Sequence, residues 1–105
     1  MTTVIKVNRR TNNYTLYIGR AFAGLSESKW HNPKRVKQFI SLDLCLAWYE
    51  SYVRSRPDLM AALHEIDDQI LGCWCHETPS DGSVLICHGD ILIKLRKEQL
   101  HNEQH

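Results

Sequence analysis

No apolar run in this chain of 105 residues approaches the ~20 residues needed to cross a bilayer. The start, Met1-Thr2-Thr3-Val4-Ile5-Lys6, lacks the apolar core and cleavage site of an export signal. Charge of one sign is also missing. Thirteen Lys and Arg against twelve Asp and Glu leave a formal net charge of +1, whereas a strong non-specific polyanion binder carries a large basic surplus. No repeat, linker or low-complexity segment interrupts the chain. These absences point to a cytoplasmic protein without a membrane partner.

What is there suffices for one domain, since typical domains run to about 100–150 residues. An apolar fraction of 43% with 24% charged residues is ordinary for a folded chain, so residues 1–100 are expected to form one unit and 101–105 a frayed tail. Basic residues gather locally: Arg9, Arg10, Arg20, Lys29, Lys34, Arg35 and Lys37 stand in the first third against one acidic residue, Glu27. That stretch reads either as a basic face, leaving nucleic acid as a partner, or as solvated loop charge. The four cysteines, with no export signal, read as reduced thiols or metal ligands rather than disulfides.

The periodicity gives the order β-β-α-α-β-α, a small mixed-sheet α/β or α+β domain. Val4–Val7 and Tyr14–Ile18 read as strands, most economically joined as a hairpin. Residues 20–36 form a loop longer than the ~12–15 residues usual without a function. Ser41 caps a helix whose apolar stripe runs through Leu42, Cys45, Leu46, Tyr49, Tyr52 and Val53. Pro57 ends it and opens the next, with Leu59, Leu63 and Ile66 inward. Gln69–Cys75, apolar nearly throughout, is the central strand. Ser83–Ile86 is a short strand or a packed loop end, and Asp90 onward is helical.

The candidate chemistry lies in Cys73-Trp74-Cys75 and Cys87-His88-Gly89-Asp90. In a strand Cys73 and Cys75 share a face, and a strand-loop-helix return can bring Cys87 and His88 back to them. Cys73, Cys75 and Cys87 with His88 or His76 form a donor set suited to tetrahedral zinc, although the spacing is not that of familiar zinc knuckles. The alternative is thiols packed in a core. C-W-C is not a thioredoxin-like dithiol, and Cys45 reads as packing. A helix start at Cys87 would lower the thiol's pKa, making Cys87 a nucleophile with His88 as proton carrier. Gly89 would admit a ligand to the free N–H groups. Asp90 is then a site residue or simply the helix cap. From the long loop, Arg20 could clamp an anion, Lys29 and Asn32 offer further polar groups, and Trp30 stacks on a ligand or covers the core.

Tyr17-Ile18-Gly19-Arg20, Ser28-Lys29-Trp30-His31-Asn32-Pro33, Leu71-Gly72-Cys73-Trp74-Cys75 and Cys87-His88-Gly89-Asp90-Ile91-Leu92, in this order, resemble the bacterial and phage domain-of-unknown-function family 4326. The likeness spans about Val4 to Leu95. It departs at His31, where the family usually has glycine, at Lys34, where it has an aromatic, and at an apparent insertion over Ser80–Ile86. That family looks distantly similar to Rossmann-like nucleotide-binding domains. The resemblance implies a nucleotide- or nucleoside-type pocket between the loop and the Cys87-His88-Gly89-Asp90 helix start, possessing or lacking catalysis. The other reading is a non-enzymatic protein that binds a host protein and carries a structural Cys/His zinc site.

Overall fold

The computed structural model describes residues 2–7, 13–21, 26–34, 38–74, 85 and 87–103. Strands β1 (Thr3–Lys6), β2 (Leu16–Tyr17) and β3 (Ile70–Cys73) combine with helices α1 (Leu42–Arg54), α2 (Pro57–Ala62) and α3 (His88–Glu103), and a 3₁₀ turn at Leu63–Ile66 follows α2. This is the expected element order in a small α/β domain. Cys75, the turn 76–82, Ser83, Val84 and Ile86 lie outside the described residues, as do Arg9, Arg10, Arg35 and Lys37 of the basic stretch.

The expected hairpin is not formed. The sheet order is β1-β3-β2, and both outer strands run parallel to β3, with Thr3 opposite Ile70 and Leu16 opposite Leu71. The reason lies in β3: Leu71, Gly72 and Cys73 are all buried, so their backbone groups need partners on both edges. A β1–β2 hairpin would leave one of those edges bare. Pairing with β2 reaches past the formal strand, because Thr15 N–H donates to Ile70 O at 2.8 Å and Ile18 N–H to Gly72 O at 3.0 Å.

The helices begin and end where their local chemistry directs. Ser41 Oγ accepts from Leu44 N–H at 3.3 Å, and Pro57 occupies the first turn of α2. Cys45, Leu46, Tyr49 and Val53 form the buried side of α1, whereas Leu42 only packs against the core's margin. α3 starts at His88, two residues earlier than the pattern predicts, and continues through His101. Its residues Ile91, Leu92 and Leu95 meet Val4, Ile18 and Leu71 in the core.

Parallel strands share one carboxyl edge. Lys6, Tyr17 and Cys73 end there, and α3 begins there, and two glycines permit close packing nearby. A Cβ on Gly72 would stand 2.7 Å from Val7 Cγ1 and 2.8 Å from Tyr14 Cγ. One on Gly89 would stand 2.5 Å from Val4 Cγ2 and 2.8 Å from Ile18 Cδ1, so Gly89 lets the helix start touch the sheet. Gly89→Ala is expected to destabilise the domain by about 1–3 kcal/mol through overpacking, despite alanine's better helix propensity. Urea unfolding checks it, and a neutral or stabilising result would show that the contact yields easily.

Candidate functional site

Cys73 is the last residue of β3, and Cys87 immediately precedes α3. Both are 1% exposed. Their sulfurs are in bonding contact as a disulfide, although the Cα atoms stand 7.5 Å apart. The expectation of reduced thiols is thus corrected for this pair: the β3–α3 return brings the two buried side chains together at one edge. Cys45, buried in α1, is a free thiol as expected.

His88 completes the cluster. Its Nε2 lies 2.7 Å from Ile18 O. A carbonyl only accepts, so Nε2 carries the proton and Nδ1 presents a bare lone pair. That lone pair faces the sulfurs, 3.5 Å from Cys87 Sγ and 3.9 Å from Cys73 Sγ. Burial pushes the His88 pKa down to about 4, against the opposing pull of the Ile18 hydrogen bond. The ring is therefore neutral near pH 7. The ligand atoms of Cys73, Cys87 and His88 all lie within 4.8 Å of one another.

Cys87 and Asp90 fasten the start of α3 reciprocally. Cys87 N–H donates to Asp90 Oδ2 at 3.0 Å, and Asp90 N–H donates to Cys87 O at 2.9 Å. Gly89 N–H points to Cys87 Sγ at 3.4 Å. Asp90 thus serves as the helix cap, one of the two roles its position allowed.

The loop residues are tied into the fold, with Trp30 buried in the core and Lys29 exposed at the surface. Arg20 donates from Nε and Nη2 to Asn32 O at 3.0 and 2.6 Å. Asn32 accepts from Lys34 N–H through Oδ1 at 3.0 Å and donates to Cys45 Sγ at 3.5 Å. Lys29 pairs with Glu65 at 2.7 Å. Trp30 is 1% exposed and belongs to the core, which makes it a cover rather than a stacking surface. Its buried Nε1 has no hydrogen-bond partner among the described residues.

Tyr49 joins loop to cluster and was not legible as a site residue in the sequence. Its hydroxyl donates to Trp30 O at 2.7 Å, while its ring meets the His88 ring edge-on at 5.2 Å. In the sequence it is one more apolar position of the α1 stripe. Burial raises its pKa far above the usual phenol range. The Ile18 carbonyl carries no sequence signal at all.

A cavity of about 370 Å³ lies elsewhere, between Thr2, Ile66, Asp67, Ile93, Arg96 and Leu100. It sits towards the amino ends of β1 and β3, where Arg96 is held by Asp67 at 2.9 Å. Segments that flank the Cys/His edge, residues 8–12 and 75–84, lie outside the described residues, while Cys73, Cys87 and His88 themselves are buried.

A family model described as "Domain of unknown function (DUF4326)" matches residues 4–98. The uncharacterized protein R718 of Acanthamoeba polyphaga mimivirus is 33% identical over 104 residues, covering 90% of this chain and 78% of its own. No solved structure matches. Among the described residues no helix is long and apolar enough to cross a membrane.

Removing the Asp90 carboxylate leaves the buried Cys87 N–H without its acceptor. Asp90→Ala is expected to lower stability by about 1–3 kcal/mol, and Asp90→Asn, which keeps one acceptor, by less. Chemical denaturation measures both. Equal losses would show that the cap is not what Asp90 supplies.

Proposed function

The chain belongs to the domain-of-unknown-function family DUF4326, and from that premise we propose that it is a small metal-binding accessory module. In the reduced protein, Cys73 Sγ, Cys87 Sγ and His88 Nδ1 hold one soft divalent cation of the zinc class. The observation that carries this reading is the His88 tautomer. Its bare Nδ1 faces both sulfurs while Nε2–H donates to Ile18 O at 2.7 Å. A metal-bound histidine is usually oriented in this way by a backbone carbonyl or carboxylate.

The backbone spacing supports it. Disulfides usually join Cα atoms about 4.4–6.8 Å apart, and here the separation is 7.5 Å. Two thiolates on one zinc, each with Zn–S of about 2.3 Å, sit farther apart than bonded sulfurs and suit a wider backbone. Cys75, two residues beyond Cys73, is the sequence's candidate for a fourth ligand. The site would clamp the end of β3 to the start of α3 beneath a surface that binds a protein partner. A partner from an infected host fits the viral relative.

A nucleotide- or nucleoside-type ligand at the same edge is the second reading. It is favoured by the gathering of parallel strand ends beside a helix start, where open α/β sheets bind ligands. Against it, Arg20, Lys29, Trp30 and Asn32 are engaged by Asn32, Glu65, the core and Cys45. Cys87 with His88 would then act at the reacting atom.

Cobalt titration of the anaerobically reduced protein tests the metal site. One equivalent per chain should bind with sulfur-to-cobalt charge-transfer absorption. Cys73→Ser, Cys87→Ser and His88→Ala should each weaken binding at least ~10-fold, while Cys45→Ser should not. Chelation should lower the unfolding temperature. Cobalt binding indifferent to all three ligand substitutions would overturn the site. Calorimetry with nucleoside monophosphates tests the second reading, which Arg20→Ala should weaken.

A further inference from the structure

We infer that the metal site is redox-gated: Cys73 and Cys87 either hold the cation together with His88 or bond to each other and release it. The inference rests on the metal reading above and assigns its regulation. Two observations meet at the same atoms. The sulfurs of Cys73 and Cys87 are in bonding contact, and the His88 lone pair is still directed at them, at 3.5 Å from Cys87 Sγ and 3.9 Å from Cys73 Sγ. The oxidised pair therefore leaves the third ligand in place.

The two states exclude each other. A metal ligand here must be an anionic thiolate, and a sulfur in a disulfide has given up that charge. Oxidation would leave His88 as the one donor of the three, too few to keep a zinc-class cation. The bonded pair stands at a Cα separation of 7.5 Å, wider than disulfides usually span.

The oxidant is a hydroperoxide. The attacking sulfur is that of Cys87, at the start of α3, where the Gly89 N–H points to it at 3.4 Å. This sulfur attacks one peroxide oxygen, the O–O bond breaks, and a sulfenic acid and hydroxide form. Cys73 thiolate then attacks the Cys87 sulfur and displaces the second hydroxide. Two thiolates lose two electrons, hydrogen peroxide gains them, two protons come from solvent, and two waters leave. The cation departs hydrated.

The test uses the full chain carrying Cys45→Ser, which removes the thiol of α1 that takes no part. Cobalt-loaded protein is treated with one equivalent of hydrogen peroxide. Free cobalt is followed with a chromogenic chelator, and disulfides are mapped by peptide mass spectrometry. The expected result is one cobalt released per Cys73–Cys87 link, with affinity lowered more than ~100-fold, beyond the loss of an outer partner alone. A phosphine reductant should restore binding. Cys73→Ser should abolish the link. Loaded protein that keeps its cobalt while peroxide is consumed overturns the gating and leaves the metal site standing. So does a link through Cys75 in place of Cys73 or Cys87. Reduced protein that never binds cobalt removes the metal reading itself, and the gating with it.

Discussion

The hydrogen bond from His88 Nε2 to the Ile18 carbonyl, 2.7 Å long, is the contact on which the site depends. It crosses from the first residue of α3 to the residue just past β2. It decides which ring nitrogen is protonated, and therefore which one faces the sulfurs. Removal of the imidazole would leave a buried carbonyl unsatisfied, at a cost of about 1–3 kcal/mol. It would also leave two sulfurs without their nitrogen. Fold and chemistry meet in that one bond.

Around it the domain arranges its other constraints. β3 needs partners on both edges, so β1 and β2 flank it in parallel and their carboxyl ends collect on one side. Gly72 and Gly89 allow neighbours to approach at distances no side chain would permit. Tyr49 reaches from α1 to the Trp30 carbonyl and packs edge-on against His88, linking loop 26–34 to the cluster. Arg20 closes that loop onto Asn32. Trp30, Arg20 and Asn32 are thus joined by these bonds to the same packed network as His88, while Lys29 pairs with Glu65 at the surface.

Surface ion pairs add little to this frame. Glu50 lies between Lys94 and Arg54 at 2.7 and 3.0 Å, and the hydrogen bond with Lys94 is the main reason its carboxyl pKa is lowered. All these groups are partly exposed, where such pairs contribute about 0–1 kcal/mol. They orient α1 against α3 without deciding the fold.

The sequence by itself determined the element order, the capping by Ser41, the start at Pro57, the central place of β3 and the burial of Cys45. Each follows from local periodicity or from a single residue's backbone preference, which act within a few positions. It also singled out Cys73, Cys87 and His88. Only the tertiary structure decided that β1 and β2 are parallel, because edge satisfaction of β3 joins residues more than fifty positions apart. Only packing made Gly89 a close contact with the sheet and placed Trp30 in the core. The partner of His88 was equally hidden, since a backbone carbonyl belongs to every residue and only the folded chain chooses which one an imidazole meets.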